Sequence, residues 1–249
     1  MPVKPLDLPR VIGHRGAAAY APENTLASFR EAKARGAAWV EFDVRLSQDG
    51  VVFVMHDDSL LRTAGLDRLS ATLPWREIKV LNAGGWFDAR YANERAPSFA
   101  ETIDCLAELG LGANVEIKPS PGAEVETARA VVSAIEKLWP ASLPTPLLSS
   151  FKDTALAEAK RCNPELPRAS LIDRIEGNWL ERARAAEALI VNTNGKKLKE
   201  EQARAIKQAG LGLGVYTIDE PDLARRLVGW GADTVISDAP DVVLAALRQ

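Results

Sequence analysis

Residues 39–56, WVEFDVRLSQDGVVFVMH, put two carboxylates and a histidine into one strand–turn–strand segment. Ser47, Gln48, Asp49 and Gly50 separate two β-branched runs and have the composition of a tight hairpin turn. Side chains alternate across a strand, so Glu41 and Asp43 share one face. Folding back about the turn is expected to set Glu41 roughly opposite His56, with the three groups within hydrogen-bonding distance. Val40, Phe42 and Val44 on the other face are apolar, so both faces look buried. Buried carboxylates need a cation, a donor or a metal, because an unpaired buried charge costs several kcal/mol or shifts its pKa.

Outward from this segment, apolar runs alternate with helical periodicity. Strands are expected at 10–14, 39–46, 113–118, 146–151, 168–172, 188–192, 212–217 and 234–237. Helices are expected at 24–34, 98–109, 123–138, 153–161, 178–186, 199–209, 221–228 and 240–248. With the return strand 51–56 counted as part of an insertion, eight strands are each followed by a helix, the pattern of a (β/α)8 barrel. Residues 57–97 break the rhythm with Pro74, Gly84, Gly85 and Pro97 and with Trp75, Trp86 and Phe87. This is an insertion after strand two, expected to lie over the barrel mouth. The 249 residues match one such barrel, so residues 1–249 are taken as one domain. An open doubly wound sheet is disfavoured because GHRGAAA after the first strand lacks the G-x-G-x-x-G spacing.

Composition narrows the function classes. A net charge of −3 gives no sign of a nucleic-acid surface, and no apolar run reaches membrane-spanning length. Residues 1–9 contain no charged start followed by an apolar region, so a cytoplasmic location is expected. Cys105 and Cys162 form no CxxC and are read as free thiols. With two cysteines and only His14 and His56, a zinc site of thiolates or three imidazoles is not available.

In a (β/α)8 barrel chemistry sits at the C-terminal ends of the strands. There strand one supplies His14 and Arg15, strand two Glu41 and Asp43, strand three Glu116 and Lys118, and the hairpin return His56. Three carboxylates from adjacent strands suit a hard divalent cation. Arg15 and Lys118 add positive charge that fits a phosphate. Two histidines beside a phosphodiester can divide acid and base roles. Acid/base cleavage of a phosphodiester follows.

At these residues the sequence resembles the glycerophosphodiester phosphodiesterase family, through GHRG at 13–16, APENT at 21–25, EFDV at 41–44, HDD at 56–58, NVEIKP at 114–119, SSF at 149–151 and SDAP at 237–240. Details such as LLSSF and GLGVYTID look most like its cytosolic bacterial branch. The resemblance implies a (β/α)8 barrel with a small insertion, and hydrolysis of glycerophosphodiesters to an alcohol and sn-glycerol 3-phosphate. It assigns metal binding to Glu41, Asp43 and Glu116, acid/base catalysis to His14 and His56, and phosphate contacts to Arg15 and Lys118, the same seven residues. The cation it implies is Mg2+, with Ca2+ or Mn2+ as alternatives. Tyr216 stands where many members carry Trp, and with Phe151 it is expected to pack against the glycerol carbons. Two alternatives are a phospholipase of the phosphatidylinositol or sphingomyelin type and a glycerophosphodiester-binding protein without turnover. The mixed charges of 57–97, without an apolar stripe, oppose the first, and the complete set of acids and histidines opposes the second.

Overall fold

A computed structural model describes residues 7–248. The strands are β1 (Val11–His14), β2 (Trp39–Leu46), β3 (Val52–Val54), β4 (Gly112–Ile117), β5 (Leu147–Ser150), β6 (Arg168–Ile172), β7 (Ile190–Asn194), β8 (Gly212–Tyr216) and β9 (Thr234–Ser237). Eight run parallel in the order β1-β2-β4-β5-β6-β7-β8-β9, and β9 pairs with β1, which closes a (β/α)8 barrel. β3 is the exception, antiparallel to the far end of β2.

Helices follow the strands as expected: α1 (Leu26–Ala34), then α2 (Leu61–Ala64) and α3 (Trp75–Ile78) inside the insertion, then α4 (Phe99–Leu109), α5 (Glu124–Leu138), α6 (Asp153–Cys162), α7 (Trp179–Ala185), α8 (Glu200–Gln208), α9 (Pro221–Gly229) and α10 (Pro240–Leu247). Their ends carry ordinary stop and start chemistry. Ser98 and Glu101 form a reciprocal capping box on α4, and Gly110 ends that helix with φ +61°.

The period of two divides each strand between two environments. Outward-facing Val40, Phe42, Val44, Val115 and Leu148 pack with helix residues such as Phe99 and Val131, and Val191, Leu213 and Val235 do the same on the other half. Inside, Ile12, Trp39, Leu147, Ile190 and Ile236 fill the lower barrel. Gly112 leaves room for the Trp39 ring, since a Cβ there would stand 2.3 Å from it. Two residues further along the same strands the interior turns polar, with Glu41, Asn114, Ser149 and Asn192 all buried.

Four expectations are corrected. The β2–β3 register pairs Val44 with Val54, and Asp43 O accepts from Met55 N, so His56 lies across from Phe42 rather than Glu41. The return strand is three residues instead of 51–56 because only Val52–Val54 find ladder partners on β2. The first helix begins at Leu26, not residue 24, because Asn24 takes φ +59° and leaves the helix to be capped by Thr25. The strand placed at 188–192 runs from Ile190 to Asn194, so its polar end reaches the barrel mouth.

The insertion builds a small core of its own from Phe53, Met55, Leu60, Leu73 and Ile78. It leaves Leu61, Leu69, Val80 and Trp86 exposed. Among the described residues no helix is long and apolar enough to cross a membrane.

Gly13 ties the barrel to the loop that follows β1: a Cβ there would lie 2.2 Å from the Gly16 carbonyl oxygen, a backbone atom with nowhere to go. Gly13→Ala is therefore expected to cost about 1–3 kcal/mol, as overpacking does, and to displace His14 and Arg15. Urea unfolding and activity measured on the same preparation check this: a variant with unchanged midpoint and full activity would show that the loop relaxes freely.

Candidate active site

β2 carries the centre of the site. Glu41 and Asp43 point from one face of this strand, and Glu116 on β4 sits beside Asp43 in the parallel register. Carboxylate oxygens of the three lie within 4.8 Å of one another. Glu41 and Asp43 are 4% and 1% exposed, so water does little to separate their charges.

Electrostatics divide the three unequally. Burial, then repulsion from Asp43 and Glu116, raises Glu41 well above the ordinary carboxylate range. Burial and the charge of Asp43 push Glu116 up to about 7. Asp43 goes the other way: burial opposes its charge, but Arg15, Lys118 and His56 outweigh burial and hold its carboxyl far below its usual value. Arg15 Nε lies 3.3 Å from Asp43 Oδ2, and Lys118 Nζ lies 3.6 Å from Asp43 Oδ1 and 3.3 Å from Glu116 Oε1.

The loop after β1 is bent to serve this cluster. Arg15 takes φ +49°, uncommon for a residue with a Cβ, and its backbone N–H then donates to Glu41 Oε2 at 3.1 Å. Asn24, at φ +59°, donates from Nδ2 to Asp43 Oδ2 at 2.8 Å and accepts from Asp43 N at 3.2 Å. Asp43 Oδ1 keeps no hydrogen-bond partner although it is buried. An orphaned carboxylate oxygen among converging acids fits a divalent cation, a hard ion that takes oxygen ligands.

Each histidine rests on its own carboxylate. His14 Nδ1 is 2.7 Å from Asp238 Oδ1, and its Nε2 is 3.8 Å from Glu41 Oε2. His56 Nδ1 is 2.6 Å from Asp57 Oδ1, so it makes no direct bond to Glu41 or Asp43, contrary to the expectation from the hairpin. Burial lowers the pKa of His56, and Arg15 and Lys118 add to this against the opposing pull of Asp43. A carboxylate oxygen beside Nδ1 favours the tautomer that carries its proton there, which leaves Nε2 of each imidazole for other work.

Charged neighbours hold these two histidines in place. Arg62 of the insertion donates to Asp57 and, through two nitrogens, to Glu23, which also accepts from Arg15. Arg45, the next inward residue after Glu41 and Asp43, donates to the His56 carbonyl at 2.9 and 2.6 Å and pairs with Asp58. Asp219 accepts from Ser237 Oγ and Asp238 N, both at 2.8 Å, and fixes the turn that carries Asp238.

These groups open into a cavity of about 400 Å³ at the barrel mouth. One side is formed by His14, Arg15, Glu41, His56, Glu116 and Lys118. The other is formed by Phe151, Leu171, Asn194, Lys196, Tyr216 and Ile236. Phe151 and Tyr216 meet edge to face with centroids 6.1 Å apart. No residue of 57–97 lines the cavity wall; Asp57, Asp58 and Arg62 brace it from behind.

All nine sequence-derived residues thus meet at one cavity or in the acid cluster beneath it. Sequence reasoning gave no role to Asn24, Asp57, Asp238 or Arg45. The first three stand inside the quoted segments APENT, HDD and SDAP, and Arg45 extends the period of two from Glu41 and Asp43, so each left a signal. Glu23 also stands inside APENT, whereas its partner Arg62 left none, because their pairing spans 39 residues.

Comparison with known proteins agrees with this geometry. A glycerophosphodiester phosphodiesterase from Caldanaerobacter subterraneus subsp. tengcongensis is 29% identical over 96% of the chain and 98% of its own length. One from Bacillus subtilis is 29% identical over 93% of the chain and 84% of its own length. A phosphodiesterase from Oleispira antarctica, solved with the product sn-glycerol-3-phosphate, superposes with a TM-score of 0.94 at 39% identity, covering 97% of this chain and 98% of that one. The model of the glycerophosphoryl diester phosphodiesterase family matches residues 14–242, and the chain belongs to that family.

Proposed function

We propose that this enzyme hydrolyses glycerophosphodiesters to an alcohol and sn-glycerol 3-phosphate by histidine acid/base catalysis, and that it does so with a bound divalent cation. The observation that carries the reading is the pair of histidines, each on its own carboxylate, facing a cavity that also holds Arg15, Lys118 and the three acids.

Glu41, Asp43 and Glu116 would hold the cation, Mg2+ in our reading, with Ca2+ or Mn2+ able to use the same oxygen ligands. When bound, such an ion relieves the repulsion among the acids and withdraws negative charge from the phosphate. Arg15 and Lys118 supply fixed positive charge to the phosphate oxygens. Phe151 and Tyr216 offer a flat apolar wall to the glycerol carbons, which leaves the varied alcohol on the histidine side near the insertion.

With the glycerol held there, its own hydroxyl is the nearest nucleophile. One histidine takes the proton of that hydroxyl through Nε2 as the oxygen attacks phosphorus. The other protonates the departing alcohol oxygen, giving a cyclic phosphate. In the second step the roles reverse: water loses a proton to one imidazole, and the ring oxygen gains one from the other. Nothing is left bound to the protein. An intramolecular hydroxyl has an effective molarity of about 10⁵ M or more when well oriented, which favours this route over direct attack by water. Cys105 and Cys162 are both free, which supports a reducing cytosolic setting. A bilayer-bound substrate is the second reading, favoured by exposed Leu61, Leu69, Val80 and Trp86. Comparing turnover of soluble diesters with that of intact phospholipid in vesicles separates the two.

Replacing His14 or His56 with Ala is expected to lower kcat by roughly 10² to 10⁴. Near-normal turnover in either variant would remove that residue from the chemistry. A diester whose glycerol lacks the hydroxyl next to the phosphate should be a poor substrate, and normal turnover would exclude the cyclic route. Chelation should abolish activity and Mg2+ restore it, while Glu41→Gln should stay folded and inactive.

The raised carboxyl of Glu116 gives a pH signature in metal-free protein. A carboxyl whose folded pKa lies above its unfolded value stabilises the fold at low pH and loses that contribution as pH rises through the folded value. Metal-free wild type should therefore lose thermal stability relative to Glu116→Gln as pH climbs from about 4.5 through about 7. Saturating Mg2+ should remove the trend. A pH-independent difference between the two proteins would show that Glu116 is not strained.

A further inference from the structure

We propose that Lys196 is a specificity-determining residue that binds a second phosphate at the far end of the glycerol, so that the preferred substrates are diesters whose glycerol is phosphorylated at both ends. This rests on the reading that glycerol packs against Phe151 and Tyr216. The topology supplies the first argument. Around the closed ring β7 is four strands from β2 in either direction, so the residues after β7 stand diametrically across the mouth from the acidic strand. A substrate with its reacting phosphate at Arg15 and Lys118, and its carbons along the aromatic wall, points its other end at Lys196.

The charge distribution supplies the second argument. Among the described residues three cations line the cavity, Arg15, Lys118 and Lys196. The first two are already close to Asp43. Lys196 instead pairs with Glu220 at 3.2 Å, where both side chains are more than half exposed. Such an exposed pair is screened by solvent, contributes little, and yields readily to a dianionic phosphate. Other charges on this side are accounted for: Asp173 is taken by Lys197 and Asn194.

Hydrogen bonds and packing also define the course of the loop that presents Lys196. Asn194 Oδ1 accepts from Lys196 N at 3.1 Å, and Gly195 N donates to Tyr216 O at 3.0 Å. A Cβ on Gly195 would stand 2.8 Å from Leu227 and 2.9 Å from Ile218, so this backbone is pressed onto the core. A loop whose course is set in this way presents Lys196 at the cavity rim without a further ordering cost for its backbone.

The test compares glycerol 1,3-bisphosphate with sn-glycerol 3-phosphate, as competitive inhibitors at fixed free Mg2+ and by calorimetric titration, in wild type and in Lys196→Met. The expected result is about tenfold tighter binding of the bisphosphate to wild type, the size of one charge-assisted hydrogen bond. Lys196→Met should erase that advantage and change the monophosphate constant less than twofold. Equal binding of both compounds to wild type, or an advantage retained in Lys196→Met, overturns the proposal. If neither compound binds and no glycerophosphodiester is turned over, the glycerol reading itself has failed, a result distinct from equal binding.

Discussion

Three carboxylates buried against one another are the constraint on which the rest of the mouth of this barrel depends. In water, charges a few ångströms apart interact by about 1 kcal/mol, but at an effective dielectric of about 20 the figure is near 4. Glu41, Asp43 and Glu116 cannot all be ionised at that cost without compensation. Arg15 and Lys118 supply part of it, which is why Asp43 stays charged while Glu41 and Glu116 are driven toward protonation. A divalent cation would supply the remainder and allow all three to ionise together.

That demand reaches back into the chain. Arg15 must bend into the left-handed region to give its N–H to Glu41, and Gly13 and Gly16 must lack side chains for the loop to fit. Asn24, sitting just ahead of the first barrel helix, spends its side chain on Asp43 rather than on capping that helix. Arg45 and Arg62 are drawn in to neutralise Asp58, Asp57 and Glu23, and the insertion that carries Arg62 is thereby fastened to the active site. Local irregularity is concentrated where charge must be satisfied, and the far side of the barrel, which holds fewer charges, is built from regular strands and apolar walls.

The two halves of the mouth therefore have different tasks. The half formed by β1, β2 and β4 holds charge and proton-transfer groups, and the half formed by β5 to β8 offers Phe151, Leu171 and Tyr216 with Lys196 at the rim. Division of this kind is natural in a closed barrel, because each strand contributes its end independently and a change after one strand leaves the others in register.

What the sequence by itself determined was whatever depends on short-range periodicity. Alternation in EFDV put Glu41 and Asp43 on one face, the apolar runs and helix starts gave eight strand–helix units, and the polar strand ends with the hairpin return gave seven of the nine site residues, to which the family resemblance added Phe151 and Tyr216. Even the error in register was local: the hairpin turn was correct, and the ladder differed from expectation by one residue. Tertiary structure alone decided which carboxylate His14 uses, since Asp238 is 224 residues from it in sequence. It also decided the Arg62–Glu23 link and the position of Lys196 opposite the acids. Periodicity states which way a side chain points, but only closure of the ring states what it faces, because partners across a barrel are joined by geometry and not by any spacing along the chain.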